Sequence, residues 1–219
     1  MGLDLDPMSK PRPGHEAEFR KLFNRIMSFA DERDMTTELE RVQAISVVPH
    51  ATAEVPRVGY DDVATQTARD RYREAEDPDM SEEAYLESAH GVWLLELVPV
   101  SDGLPYYSNS GLGLASRLSF RGECLVAEDV VEALENPYLL ERLHEPMLAD
   151  ELAAVGAELA EEARRLAGLH GAESLLTCRE PPEDVAEDSD PRHVVHVLAS
   201  AARWCAWWSS RGHGMEPSY

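Results

Sequence analysis

Leu3 and Leu5 alternate with Asp4 and Asp6, the two-residue period of a short strand near 2–6, and the prolines between Pro7 and Gly14 end it. Phe19, Leu22, Phe23 and Ile26 then recur at three- and four-residue spacing, with Glu16 and Glu18 in the first turn where the helix dipole favours acids, so a helix follows. Ala44 to Val48 is apolar and β-branched and stops at Pro49, which predicts a second strand near 43–48. A polar helix is expected from Asp61 to Ala75, and Ser81 followed by Glu82, Glu83 and Ala84 opens a shorter one through a serine cap.

Val92 to Val100 is the most continuously apolar run, interrupted at Glu96, and its pattern predicts a central strand near 92–100, buried on both faces. Ser101 to Ala115 is rich in turn residues, and Arg117 to Phe120 reads as a returning strand near 116–121 that would close a long hairpin. Downstream the period becomes helical. Segments are expected over Glu128–Glu135 and Tyr138–His144, and a longer one carries Leu148, Leu152, Val155, Leu159, Ala163 and Leu166. Cys178 to Pro191 combines acids with three prolines and has little to bury, the composition of a linker or strap; a last helix follows from about His193 to Ser210.

Strands early and helices late predict an α+β fold: a small, mostly antiparallel sheet packed with several helices, and a helical C-terminal half. The chain reads as one domain over 1–219. Its strand-containing part is 1–125, its helical part 126–177, its acidic linker 178–191 and its C-terminal helix 192–211.

Charge sharpens this picture at one place. Residues 1–190 carry 41 acids against 17 bases, a balance of -24, whereas 191–219 carry Glu216 alone against three arginines, a balance of +2. That tail also holds Trp204, Trp207 and Trp208 and three of the eight histidines. A formal charge of -22 opposes nucleic-acid phosphates and anionic membranes, and it suits a basic protein partner. The N-terminal residues lack a basic segment followed by an apolar run, so a cytoplasmic protein is expected. Val194 to Trp208, the most apolar stretch, is too short and too polar to span a bilayer. Cys124, Cys178 and Cys205 are odd in number and widely spaced, which fits neither a disulfide framework nor a zinc knuckle.

On a helical wheel the tail separates into two stripes. Val194, Leu198, Ala201, Trp204 or Cys205, and Trp208 share a face expected to pack; His193, His196, Ser200, Arg203 and Trp207 share the other, expected to be solvated with Trp207 partly covered. His193 and His196 lack a third ligand at a recognisable spacing, so neither a metal nor a cofactor is expected. Their first expected use, with Arg203, is to fasten the last helix to the acidic body.

The loop over 101–113 is the second concentration of candidate chemistry. Asp102, Tyr106, Tyr107 and Asn109 combine rigid aromatic surface with adaptable hydrogen bonding, the composition of recognition loops, while Gly111-x-Gly113 lacks the third glycine of a dinucleotide fingerprint. The candidate residues for a partner or ligand are therefore Asp102, Tyr106, Tyr107, Asn109, His193, His196, Arg203 and Trp207. The expected function is a protein-interaction module of inhibitor, immunity or adaptor type that binds a basic protein. The alternative is an enzyme or small-molecule binder whose pocket forms where the 101–113 loop meets the C-terminal helix. A homodimer through the tryptophan-rich helix is a further use of the same surface.

Overall fold

The computed structural model describes residues 3–28, 35–75, 80–99, 101–104, 118–179 and 190–219. In chain order these form β1 (Asp4–Pro7), β2 (Lys10–Pro11), α1 (Glu16–Ser28), α2 (Thr36–Ala44), β3 (Ser46–Val47), α3 (Pro49–Thr52), α4 (Asp62–Glu74) and α5 (Glu82–Ala89). They continue as α6 (Glu128–Ala133), α7 (Tyr138–Glu141), α8 (Ala149–His170), α9 (Pro191–Ser209) and β4 (Met215–Ser218). The α+β class holds: helices dominate, the strands are short and antiparallel, and the C-terminal half is helical. The chain packs as two compact units, Met1–Pro49 with Ser101–Tyr219, and His50–Val100.

In the larger unit the two ends of the described chain pair with each other. β1 runs antiparallel to β4 in the register Asp4↔Ser218 to Pro7↔Met215, and β2 pairs with β3 through Lys10↔Val47 and Pro11↔Ser46. Leu5 exchanges both backbone bonds with Phe120, so β1 is held from a second side. Phe19, Ile45 and Leu148 form a small core beneath α1.

The main core lies between α8 and α9. α8 begins where the Leu148 N–H donates to the Glu151 carboxylate at 2.8 Å, and it ends at Gly171, whose φ of +64° is the left-handed conformation that closes helices. Leu152, Val155, Leu159 and Ala163 face inward at helical spacing. α9 begins at Asp190, whose carboxylate accepts from the Arg192 N–H at 2.8 Å, with Pro191 in the first turn where a missing donor costs nothing.

In the smaller unit Asp61 and Ser81 cap α4 and α5, accepting from the Ala64 and Ala84 N–H groups at 2.9 and 3.3 Å. Val58, Ala64, Ala68 and Leu94 form its core.

Three expected strands change character. Over its described residues, 92–99, the apolar run is no central strand: Trp93 makes a single bridge to Arg57, and Leu95–Leu97 is a 3₁₀ turn. Its buried members are Leu94, which joins a core with residues of α4 and α5, and Val98, and a short apolar run has the same composition in either setting. Of the segment near 116–121 the described residues begin at Leu118, and Phe120 bridges to Leu5 of β1. Near 43–48, α2 extends through Ala44 and leaves only Ser46–Val47 as strand. Among the described residues no helix is long and apolar enough to cross a membrane.

Candidate functional site

α9 carries most of the residues singled out in the tail, and its first stripe packs as expected. Trp204 and Trp208 are fully buried, and both indole N–H groups donate to the Leu118 carbonyl, at 2.8 and 3.2 Å. One carbonyl thus satisfies two buried donors that would each be costly if left unmade.

The second stripe departs from expectation at its centre. His196 is only 6 % exposed, so this face is not solvated there. Burial lowers its pKa to about 4, and the nearby positive charges of Arg203 and His193 act in the same direction, so the ring is neutral at neutral pH. Its Nδ1 is buried and has no hydrogen-bond partner among the described residues. The reason for the departure is that eleven of the nineteen residues of α9 are buried, far more than one stripe supplies.

Arg203 does fasten the helix to the body, mainly through backbone dipoles. Its guanidinium donates to the Leu176 carbonyl at 2.5 Å, the Cys178 carbonyl at 2.7 Å and the Ser200 hydroxyl at 2.9 Å. Asp102 stands 3.9 Å from the Arg203 Nε and 3.8 Å from the Arg179 Nε. Burial lowers the Arg203 pKa and the Asp102 carboxylate opposes that shift.

The described part of the 101–113 loop meets α9 directly. The Trp207 indole donates to the Ser101 hydroxyl at 2.9 Å, while Arg211 lies over the Trp207 ring at 3.8 Å. Gly103, at φ +92°, lies so close to the helix that a Cβ there would fall 2.6 Å from the Trp207 Cβ and 2.9 Å from the Arg203 carbonyl oxygen. Asp102, Arg203 and Trp207 are therefore brought together, and His196 lies within electrostatic reach of Arg203. Tyr106, Tyr107 and Asn109 lie outside the described residues. His193 is half-buried near the start of α9.

A concavity lies alongside this cluster, lined by Arg203 and otherwise largely by alanines that carry no reactive group. α8 and α9 approach closely at Gly156, where a Cβ would lie 2.7 Å from the Cys205 Cβ, and a groove of about 650 Å³ opens between them. Ala153, Ala157, Ala160 and Arg164 line it from α8; Ala202, Arg203 and Ala206 line it from α9. Ala153, Ala157, Ala160 and Arg164 do recur at helical spacing on one face, and Ala153, Ala157 and Arg164 are exposed. That small-residue stripe was the available signal.

Burial pushes the Cys205 thiol up to about 12, so it is no nucleophile near neutrality. Among the described residues no three His, Cys, Asp or Glu side chains are grouped so as to hold a metal ion. No family model, curated protein or solved structure matches the chain.

Proposed function

We propose that the protein is an interaction module that receives a helix of a basic partner in the groove between α8 and α9. The observation that carries this reading is the groove itself: apolar, about 650 Å³, open to solvent and floored by alanines. Small side chains let a third helix approach closely, and from Ala153 to Arg164 α8 rises about 16 Å, roughly three turns. An amphipathic helix docks through anchors at that repeat. The surrounding charge supplies the partner's sign. α8 carries Asp150, Glu151, Glu158, Glu161 and Glu162 against Arg164 and Arg165, and the whole chain is at -22, a field that speeds encounter with a basic protein.

Filling the groove tests the reading. Ala157 is exposed, so Ala157→Trp should leave the fold intact while occupying the docking volume. Wild-type protein used as bait in its host extract is expected to retain a basic protein at low ionic strength and to release it as salt rises past about 0.1 M, where exposed charges are screened over roughly 10 Å. The Ala157→Trp bait should retain none. Equal capture by both baits, or capture indifferent to salt, overturns the proposal.

A second reading rests on Arg164 and Arg203 in the groove lining. Two cations beside an apolar trough suit a long-chain carboxylate. Saturable binding of a fatty acid that Ala157→Trp abolishes, with no protein captured, would favour it.

A further inference from the structure

Residues 50–100 contain twelve acids and four arginines, so a cation there has carboxylates in abundance. Three of the four take them. Arg69 lies 3.7 Å from Glu82, Arg73 lies 3.4 Å from Asp70 and 3.6 Å from Glu82, and Arg71 pairs with Glu96. Arg57 has no carboxylate partner among the described residues.

It is held instead by aromatic rings and backbone. Residues 56–58 run against 91–94, with Val58 N–H donating to the Val92 carbonyl, Gly91 N–H to that of Val58 and Leu94 N–H to that of Pro56. This pairing sets Arg57 beside Trp93. The guanidinium carbon lies 4.6 Å from the Tyr60 ring centre and 4.9 Å from that of Trp93, and Nε donates to the Gly91 carbonyl at 2.6 Å. Gly91, at φ +87°, makes the approach possible: a Cβ there would fall 2.9 Å from one terminal guanidinium nitrogen. His50 stacks on Trp93 at 5.5 Å, and His90 leans on Tyr60 at 5.1 Å.

The consequence is a cation with its plane fixed and one edge unused. The Nε donor is occupied and aromatic rings flank the group, yet the terminal nitrogens have no hydrogen-bond partner among the described residues. A planar fork of N–H donors matches the spacing of two oxygens on a carboxylate or phosphate, and pre-setting its plane lowers the ordering cost of binding. Tyr60, whose ring the guanidinium overlies, is 68 % exposed. We propose that the Arg57 edge is an oxyanion-binding site, taking a carboxylate or phosphate group against the Tyr60 ring. It is independent of the α8/α9 groove.

Titration of the ¹⁵N-labelled full-length chain with inorganic phosphate, and separately with acetate, tests this at constant ionic strength against sodium chloride. One of the two anions is expected to produce saturable shifts confined to the Arg57 side-chain N–H, Tyr60 and the Gly91 amide, and the responding anion identifies the chemistry. Arg57→Lys keeps the charge but loses the fork, and should weaken binding about tenfold or more. Tyr60→Ala leaves the Arg57 to Gly91 bond in place and should weaken binding by a smaller factor, which provides a test even if Arg57→Lys disturbs the fold. Linear, chloride-like responses to both anions in the wild type overturn the proposal, as does wild-type affinity in either variant.

Discussion

Single residues at the junction of the 101–104 segment and α9 carry more than their size implies. Gly103 combines a left-handed φ of +92° with a contact that leaves no room for a Cβ. Gly103→Ala should therefore destabilise the protein by about 1–3 kcal/mol, through backbone strain and displacement of Trp207. Urea denaturation monitored by tryptophan fluorescence would measure it; an unchanged midpoint would mean that the segment moves aside freely. Asp102, Arg203 and Trp207 were legible in sequence as chemistry-bearing residues, and their meeting was not, because the spacing between 102 and 203 says nothing about which loop touches which helix. His196 falls on the polar face of the helix by its spacing, yet α9 is covered on several sides, and such a helix buries polar positions as well.

At the scale of elements, the α8/α9 pair is set by how close two helix backbones come. Gly156 faces Cys205 where a Cβ would sit 2.7 Å from the opposing Cβ, so Gly156→Ala should force the helices apart. The expected cost is about 1–3 kcal/mol by overpacking, partly offset by the better helix propensity of alanine. Thermal unfolding followed at 222 nm would show the loss as a lower Tm. A rise in Tm would mean that the pair yields by a few tenths of an ångström at no cost. Both helices were readable from the 3.6-residue period, and Ser81 was readable as a cap, whereas Asp61, placed inside its helix by the sequence, proves to be the cap. The run 92–100 was not, since its composition fixes burial and leaves the neighbour open. The neighbour turned out to be residues 56–58, paired through one bridge at Trp93.

For the whole molecule, acid is the informative stress. His213 is fully buried; its Nδ1–H donates to the Met8 carbonyl at 2.7 Å and its ring meets Trp208 edge-on. Burial lowers its pKa to about 4, as it does for His196, and Lys10 adds to the effect. A histidine depressed in the folded state stabilises fully above the unfolded pKa of about 6.5, and that contribution is lost as pH falls toward 4. The loss is on the order of 1–3 kcal/mol per histidine. Asp4 and Glu216 act oppositely. Burial, aided by Asp6, raises their pKa values, so their protonation relieves the fold as pH drops through those raised values. The urea midpoint should fall between pH 7 and pH 5, and less so in His213→Asn. Identical profiles for both proteins would remove His213 as the cause.

The pairing of β1 with β4 has a kinetic side. Ser218 Oγ donates to the Asp6 carboxylate across a separation of 212 residues, and the Met8 N–H and carbonyl are satisfied by Gly214 and His213. During synthesis β1 leaves the ribosome ahead of its mate by that same separation. Until then Leu5 can reach Phe120, while the other edge of β1 presents unpaired N–H and C=O groups to any strand that passes. Closure over so long a loop is slow relative to the local helices. The interval between emergence of α1 and completion of β4 is thus when a nascent chain is most open to pairing with its neighbour on the same message, and a chain cut short before Met215 would keep that edge permanently.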